Sequence, residues 1–266
     1  MNQPIKKYSR SDLGVYVWTS DRNMPCVQAW AYLFNKFWPY KTNVRVLGYA
    51  QPEFELPDNF EFISLGKQRG VEHWSNDMLN YYQSCDHEYF YSMWEDGLIL
   101  NHIDAEILDL ALKVAIHNKG DRFFKFNLSL DVQQRPHSVL EKFDGYDLIL
   151  ASQTSAYRHS TNHCIWKREK FLDKLIPGQT PWKFELDNTR AQNDSLDIYA
   201  TRGKYAITMG HAYKKGTKIS NWYEENSGYG PIPRGAGHSL TQEDIQYIEK
   251  NNWIPEIPAL GSVVEP

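Results

Sequence analysis

The stretch EYFYSMWEDG, residues 88–97, runs from strand-forming aromatic residues straight into two adjacent acids, Glu95 and Asp96. Its first part predicts a buried strand that ends at Trp94. Unpaired carboxylates are costly to bury, and Mg²⁺ or Mn²⁺ would offset that cost because these cations favour carboxylate oxygens and bridge to phosphates. The alternative is that Asp96 caps the next segment while Glu95 is solvated. Spacing alone leaves both interpretations open.

The first half of the chain alternates between strand-like and helix-like patterns. Strands are predicted over residues 13–19, 43–49 and 60–65, and helices over residues 24–38, from a Ser75 N-cap, and over 104–117. This alternation predicts an α/β fold with a Rossmann-like, mostly parallel sheet covered by helices on both faces. Sites in such sheets form at the carboxyl ends of the strands. Residues 19–22, 66–69 and 95–96 should therefore converge.

The second half has a less regular pattern. It predicts strands over 147–153 and 204–210, helices over 165–175 and from Pro181, a loop over about 214–237 and a C-terminal helix over 241–250. Thr241 and Asp244 form a capping-box-like start for the last helix. No internal repeat or interdomain linker is apparent, so one domain is expected.

The composition fits a globular protein and narrows its partners. The 266 residues are 41% hydrophobic and 23% charged, enough to bury a core. The net charge of −4 gives no overall attraction to nucleic acid or to an anionic membrane. The three cysteines are widely spaced and indicate neither a disulfide framework nor a zinc site, and no apolar run is long enough to span a bilayer. We expect a soluble, cytoplasmic protein.

Three further segments contain candidate functional residues. Thr19-Ser20-Asp21-Arg22 follows a strand and precedes a helix, where hydroxyls, an acid and N–H groups suit a nucleotide, although an ordinary polar turn has the same composition. Glu185 lies among aromatic rings in TPWKFE, residues 180–185, where a raised pKa could suit it to act as a general base. The alternative is that a Glu in the first turn of a helix only interacts favourably with the helix dipole. His211 is either structural or a ligand in a metal site.

The order of these segments resembles that of the GT-A-fold glycosyltransferases, specifically a group found in bacteria and in large or tailed viruses (phages). The resemblance covers most of residues 13 to about 212. It rests on VYVWTSD (15–21), on Gly66, Arg69 and Trp74-Ser75, on YFYSMWEDGLIL (89–100) and, most distinctively, on CIWKREKFLDKLIPGQTPWKFEL (164–186). The group has an acidic pair such as Asp-Asp where this chain has Glu95-Asp96, which makes Asp96 the safer metal ligand.

The resemblance implies one GT-A-like catalytic domain, with a nucleotide-sugar-binding half (11–130), an acceptor-side half (131–240) and a C-terminal helix and tail (241–266). The donor would be a nucleotide-diphosphate sugar, most commonly a UDP-sugar for this fold. By this resemblance, residues Thr19 to Arg22 would bind the nucleotide, and Arg69, Trp74 and Ser75 would line the donor pocket. Asp96, with or without Glu95, would bind Mn²⁺ or Mg²⁺, and His211 would complete that shell. Glu185 would be the base. A single base without a partner nucleophile predicts inversion at the anomeric carbon.

Other activities fit parts of the pattern. A metal-dependent nucleotidyltransferase also needs acids at a strand end, and Arg22 or Lys67 would then contact the triphosphate. A nucleotide-sugar hydrolase and a non-catalytic carbohydrate-binding module are further alternatives. The expected acceptor is a cell-surface glycan or a lipid-linked sugar, and a hydroxylated DNA base of a virus is the alternative. The basic segment 213–218, with Trp222 and Tyr223, is either a solvated loop or a contact for donor, oligosaccharide or phosphate.

Overall fold

The computed structural model describes residues 13–117, 121–129, 135–190, 194–224 and 239–257. Its strands in chain order are β1 (Leu13–Trp18), β2 (Val44–Gly48), β3 (Phe60–Ser64), β4 (Tyr89–Trp94), β5 (Gly97–Ile99), β6 (Phe123–Asn127), β7 (His137–Lys142), β8 (Asp147–Ala151), β9 (Cys164–Lys167), β10 (Asp197–Arg202), β11 (Met209–His211), β12 (Tyr213–Lys214) and β13 (Thr217–Lys218). Its α-helices are α1 (Cys26–Phe37), α2 (Trp74–Gln83), α3 (Ala105–His117), α4 (Arg168–Lys174), α5 (Pro181–Arg190) and α6 (Gln242–Lys250).

Nine of these strands form one sheet in the order β3-β2-β1-β4-β9-β6-β10-β8-β7. β3, β2, β1 and β4 are mutually parallel, and β10 is parallel to β6. β9 and β8 run antiparallel to both of their neighbours. Seven of the nine strands therefore point the same way, and the predicted α/β fold with a mostly parallel sheet is confirmed.

Helices cover both faces of the sheet, and β1 shows how its sequence requires this. Successive side chains of a strand point to opposite faces. Val15 and Val17 pack in the apolar cluster that includes α1 and α3, whereas Tyr16 and Trp18 pack in the cluster that includes α2, α4 and α5. All six residues of β1 are buried, as expected for a central strand with helices on both sides.

The largest correction concerns residues 165–175, which were predicted to be helical. Their first part is strand β9, inserted antiparallel between β4 and β6, and the helix α4 covers only Arg168–Lys174. Ile165 and Trp166 are fully buried in this position, so pairing with two neighbouring strands outweighs the local helical pattern. β9 belongs to the second half of the chain but lies between two strands of the first, so the two halves share one sheet.

Other boundaries also differ from the predictions. Strands β6, β7 and β10 were not predicted, and the strand expected over 204–210 is the short β11, Met209–His211. Ser75 is not an N-cap: a 3₁₀ helix, Val71–His73, leads directly into α2, and Ser75 lies buried in its first turn. The loop expected over 214–237 begins with the β12–β13 hairpin, and residues 225–238 lie outside the described part.

The C-terminal helix α6 begins as predicted. The Thr241 hydroxyl accepts a hydrogen bond from the Asp244 N–H (3.2 Å), and the Asp244 carboxylate accepts one from the Thr241 N–H (2.7 Å). Asp244 also forms an ion pair with Lys36 and accepts a hydrogen bond from Tyr32, both on α1, so α6 is tied to the first helix. The helices in the described ranges include none with the length and apolar character that crossing a bilayer requires.

Candidate active site

The carboxyl ends of the parallel strands open onto a cavity of about 320 Å³. Thr19 and Ser20 after β1, Gln68 after β3, and Glu95 with Asp96 after β4 all line it. These segments lie together because β1 pairs with both β2 and β4, and the ladder continues past the strand ends through Thr19 N–H to Leu47 O (2.9 Å) and Glu95 N–H to Trp18 O (3.1 Å). The predicted convergence of the three strand-end segments is confirmed.

Glu95 and Asp96 form an acidic pair in the cavity wall. Glu95 is only 2% exposed, and burial, together with the charge of Asp96, raises the pKa of its carboxyl well above the usual range. Burial also raises the pKa of Asp96, an effect that His211 partly opposes. The Asn23 side chain hydrogen-bonds the Glu95 carboxyl, but the Oε2 atom of Glu95 has no partner among the described residues. The pair is thus costly as it stands.

A two-stranded sheet brings His211 to this pair. β5 starts at Gly97, immediately after the acids, and pairs antiparallel with β11 so that Gly97 and His211 are register partners. The Ala212 N–H then donates to the Asp96 carbonyl oxygen at 2.8 Å. β11 also packs closely on the backbone of Trp222: a Cβ atom added to Gly210 would lie only 2.2 Å from the Trp222 carbonyl oxygen. His211 lines the cavity, as the predicted metal role requires.

The acidic pair fits a cation that a bound phosphate completes. Among the described residues no group of three or more His, Cys, Asp or Glu side chains is arranged to hold a metal by itself. Mg²⁺-type sites commonly use only one or two protein carboxylates, with substrate phosphates and water supplying the other ligands. The unpartnered Oε2 of Glu95 beside Asp96 is the donor set that such a cation would use.

Glu185 lies on another part of the same wall, in the second turn of α5. Its Oε1 atom accepts hydrogen bonds from the Thr161 N–H (2.5 Å) and the Thr161 hydroxyl (2.8 Å). The Trp94 indole N–H donates to the same hydroxyl at 2.9 Å. These donors hold the carboxylate in one orientation, and a fixed position is the first requirement of a general base.

Aromatic rings supply much of the remaining wall. The Trp94 ring packs edge-on against Trp18 (centroids 5.3 Å apart) and lies 6.1 Å from Trp74. The buried indole N–H of Trp74 has no hydrogen-bond partner in the described part of the chain, which gives the wall an unmatched donor as well as the unmatched acceptor of Glu95. A ligand bound in the cavity would satisfy both of these atoms.

Four residues that sequence reasoning assigned to the site do not line the cavity. Asp21 accepts a hydrogen bond from the Ala50 N–H (2.7 Å), and Arg22 donates to the Gly216 carbonyl of the β12–β13 hairpin (3.3 Å). Arg69 forms an ion pair with Asp77 (2.6 Å). The Ser75 hydroxyl accepts from the Gln179 N–H (2.9 Å) and joins α2 to the turn before α5. These contacts lie outside the cavity lining and connect the loops around it to neighbouring segments.

Sequence reasoning also missed several residues of the wall. They are Trp18, Asn23, Tyr49, Trp94, Thr161, Asn162 and Trp182. Two of them could have been found from the sequence. Trp94 directly precedes Glu95, and Trp182 lies three residues before Glu185, so both belong to segments that had already been selected. Thr161 and Asn162 lie in an irregular segment before β9, which no local pattern assigns to a site.

The charged side chains lining the described part of the wall, Glu95, Asp96 and Glu185, are all acidic, with His211 beside them. Neither Arg22 nor Lys67, the two basic residues that a nucleotidyltransferase was expected to use, is among the lining residues. A phosphate-bearing substrate would meet acidic side chains on this wall, and a bound cation would balance the two negative charges.

No protein-family model and no curated protein sequence matches this chain. Among solved structures it is similar to S. aureus TarS 1–349 in complex with UDP, at 10% identity and a TM-score of 0.48, over 73% of this chain and 59% of that one. It is also similar to a cytidylyltransferase from Leptospira borgpetersenii (13%, TM-score 0.39, 95% and 100% covered). A third similar structure is the mannose-1-phosphate geranyltransferase from Thermus thermophilus, at 8% identity and a TM-score of 0.39, over 74% of this chain and 75% of that one. This chain spans less than two thirds of the TarS 1–349 chain. Values this low carry no inference about activity.

Proposed function

We propose that this protein is a metal-dependent glycosyltransferase that moves a sugar from a nucleotide-diphosphate donor, in the first instance a UDP-sugar, to an acceptor hydroxyl. The observation that carries the proposal is the presence of two separate acidic functions on one cavity wall. The buried pair Glu95-Asp96, with His211 beside it, suits a cation and a diphosphate. Glu185, oriented by Thr161, suits a proton acceptor.

Each acidic function has a defined task in this reaction. Asp96 and Glu95, with His211 beside them, would hold Mn²⁺ or Mg²⁺ together with the donor's phosphates, and the cation would stabilise the negative charge on the departing diphosphate. Glu185 accepts the proton of the acceptor hydroxyl. In the same step the acceptor oxygen bonds to the anomeric carbon, and the bond from that carbon to the phosphate oxygen breaks. Displacement in one step inverts the anomeric configuration. The donor would accept hydrogen bonds from Thr19, Ser20 and Trp74, which line the cavity and include the unmatched Trp74 N–H.

The competing activities need other residues. Nucleotidyl transfer draws on a basic side chain at the triphosphate, whereas Arg22 is engaged with Gly216 away from the lining. A carbohydrate-binding module has no use for a buried pair of carboxylates that disfavour each other's charge.

The experiment is a thermal-shift panel of nucleotides and nucleotide-sugars, with and without Mn²⁺, on wild type, Asp96→Asn and the exposed control Asp58→Asn. We expect a Mn²⁺-dependent rise in melting temperature for one diphosphate sugar in wild type and Asp58→Asn and its loss in Asp96→Asn. A triphosphate that raises the melting temperature while no diphosphate sugar does would favour nucleotidyl transfer. No shift with any nucleotide would overturn the proposal.

A further inference from the structure

Trp182 is the most exposed of the large apolar side chains in the described part of the chain that lie outside the core, at 63%. It also lines the cavity, near Glu185. A tryptophan left this open loses the stabilisation that burial of its ring would give, so its position at the mouth of a site calls for a ligand. Val71, 41% exposed in the 3₁₀ helix, adds a second apolar side chain to the same lining.

The chain holds the Trp182 ring and the Glu185 carboxylate in a fixed relation. Both lie on α5 three residues apart, a spacing that places side chains on the same face of a helix. Between them Phe184 is fully buried and packs on Trp74 (5.5 Å between centroids) and Phe171 (5.4 Å). A planar group resting on the indole therefore lies about one helical turn from the base.

The cavity lining that includes Trp182 favours a neutral ligand. Its charged side chains in the described residues are acidic, and its polar ones include Thr161 and Asn162. A pyranose has an apolar face that packs on an indole and hydroxyls that hydrogen-bond to amides and carboxylates. The base of a nucleic-acid acceptor would also stack on tryptophan, but its phosphodiester backbone would then lie beside the Glu185 carboxylate, away from the cation proposed at the acidic pair.

We propose that Trp182 is the acceptor platform, on which a neutral hexopyranose of the acceptor stacks and presents one hydroxyl to the Glu185 carboxylate. This inference rests on the proposed function for the identity of the base and names the acceptor class as carbohydrate. Trp182 binds the acceptor, and the donor is bound at the acidic pair.

The test measures acceptor binding without turnover. Saturation-transfer NMR would be recorded with methyl β-D-glucopyranoside, methyl β-D-galactopyranoside, methyl α-D-mannopyranoside and a single-stranded oligonucleotide containing 5-hydroxymethylcytosine. The proteins are wild type, Trp182→Ala, Trp182→Phe and the control Ile176→Ala, an apolar residue that is 56% exposed and outside the lining. We expect at least one pyranoside to bind wild type, with affinity reduced about tenfold in Trp182→Ala, largely kept in Trp182→Phe and unchanged in Ile176→Ala.

Two results overturn the inference: no pyranoside bound by wild type, or equal pyranoside binding by wild type and Trp182→Ala. A signal that depends on Trp182 for the oligonucleotide alone would replace the sugar with a nucleobase and overturn it as well. The donor panel separates this test from that of the proposed function. Pyranoside binding that depends on Trp182 without any nucleotide-dependent stabilisation would keep the platform and reject the transferase. Once turnover is available, Trp182→Ala should raise KM for the acceptor and leave KM for the donor unchanged.

Discussion

Glu185 and Thr161 are joined by two hydrogen bonds to a single carboxylate oxygen, one from the backbone N–H and one from the hydroxyl of the threonine. This contact joins helix α5 to the irregular segment that leads into β9, and the Trp94 indole extends it to the end of β4. The arrangement orients the proposed base. It also links the element that carries the base with the strand that carries the acidic pair.

The first prediction concerns this base. Glu185→Gln should lower the rate of transfer by about 10²–10⁴-fold, because the amide cannot accept the acceptor's proton, while the Mn²⁺-dependent stabilisation by the donor is kept. The matched control is Asp187→Asn, an exposed carboxylate on the same helix. Both quantities are read from initial rates and thermal shift. A Glu185→Gln enzyme with wild-type turnover would assign the base elsewhere.

Thr161 should act on the rate through Glu185. Thr161→Val removes the hydroxyl donor and keeps the backbone N–H, so we expect kcat to fall about tenfold and KM for the donor to stay near its wild-type value. Thr161→Ser restores the hydroxyl and should restore most of the rate. A Thr161→Val variant with donor affinity lowered and kcat unchanged would place Thr161 in the donor site instead.

The acidic pair should destabilise the metal-free protein. A buried carboxyl beside Asp96 must either carry an unfavourable charge or take up a proton, and both cost folding free energy. Glu95→Gln removes that cost and keeps the shape of the side chain, so the melting temperature in excess chelator should rise by about 2–4 °C. The exposed control Glu53→Gln should leave it unchanged. Differential scanning calorimetry in the same buffer compares the three proteins. A lower melting temperature for Glu95→Gln would mean that the Glu95 charge is compensated by the fold alone.

Stability should depend on pH through His159. Burial lowers the pKa of its imidazole to about 4 against the opposing effect of Asp194. Between about pH 6.5 and pH 4 the unfolded chain takes up a proton on this residue that the folded chain does not, so the free energy of unfolding falls as pH falls across that window. The full loss is about 3 kcal/mol by pH 4. Above pH 6.5 the residue is neutral in both states and contributes no slope.

Urea unfolding at pH 7.5, 6.0, 5.0 and 4.5 measures this dependence. His159→Gln cannot titrate and should reduce the slope between pH 6.5 and pH 4, leaving the part that His163 contributes because burial lowers its pKa to about 3. The exposed control His117→Gln should follow wild type. Parallel curves for wild type and His159→Gln would show that another group sets the acid sensitivity.

Helix α6 should depend on one carboxylate. Asp244 completes the capping box with Thr241, accepts from Tyr32 and pairs with Lys36, so Asp244→Ala should lower the free energy of unfolding by about 2 kcal/mol. Glu243→Ala removes the adjacent exposed carboxylate of the same turn and should change it by less than about 0.5 kcal/mol. Donor binding should be unaffected in both. Equal effects of the two substitutions would mean that the contacts of Asp244 with α1 add nothing to stability.

Much of the fold could be predicted because its signals are local. The buried run of β1, the helical spacing of α1 and the Thr241–Asp244 capping box depend on residues near one another in the chain, and each element formed where expected within a few residues. The acidic pair at the end of β4 was visible for the same reason: two carboxylates directly after a buried strand are unusual in any packing.

The elements that were missed take their structure from distant partners. Cys164 to Lys167 has the composition of a helix start, yet it is a strand because β4 and β6 leave a gap that only an extended segment fills. Arg69 and Asp21 are polar residues next to the site in sequence, and only the fold shows that their side chains bind Asp77 and the Ala50 N–H.

The sequence by itself determined a helix-covered, mostly parallel α/β sheet and an acidic pair at a strand end, because side-chain periodicity and the cost of burying charge operate over a few residues. The tertiary structure alone decided that Thr161 and Trp182 share a cavity with that pair, and it brought Glu185, which only the resemblance had linked to the site, to the same wall. Those residues are far from the pair in the chain and meet through sheet order and helix packing, since the position of β9 beside β4 brings the segment before it, and α5 with it, over the ends of the parallel strands.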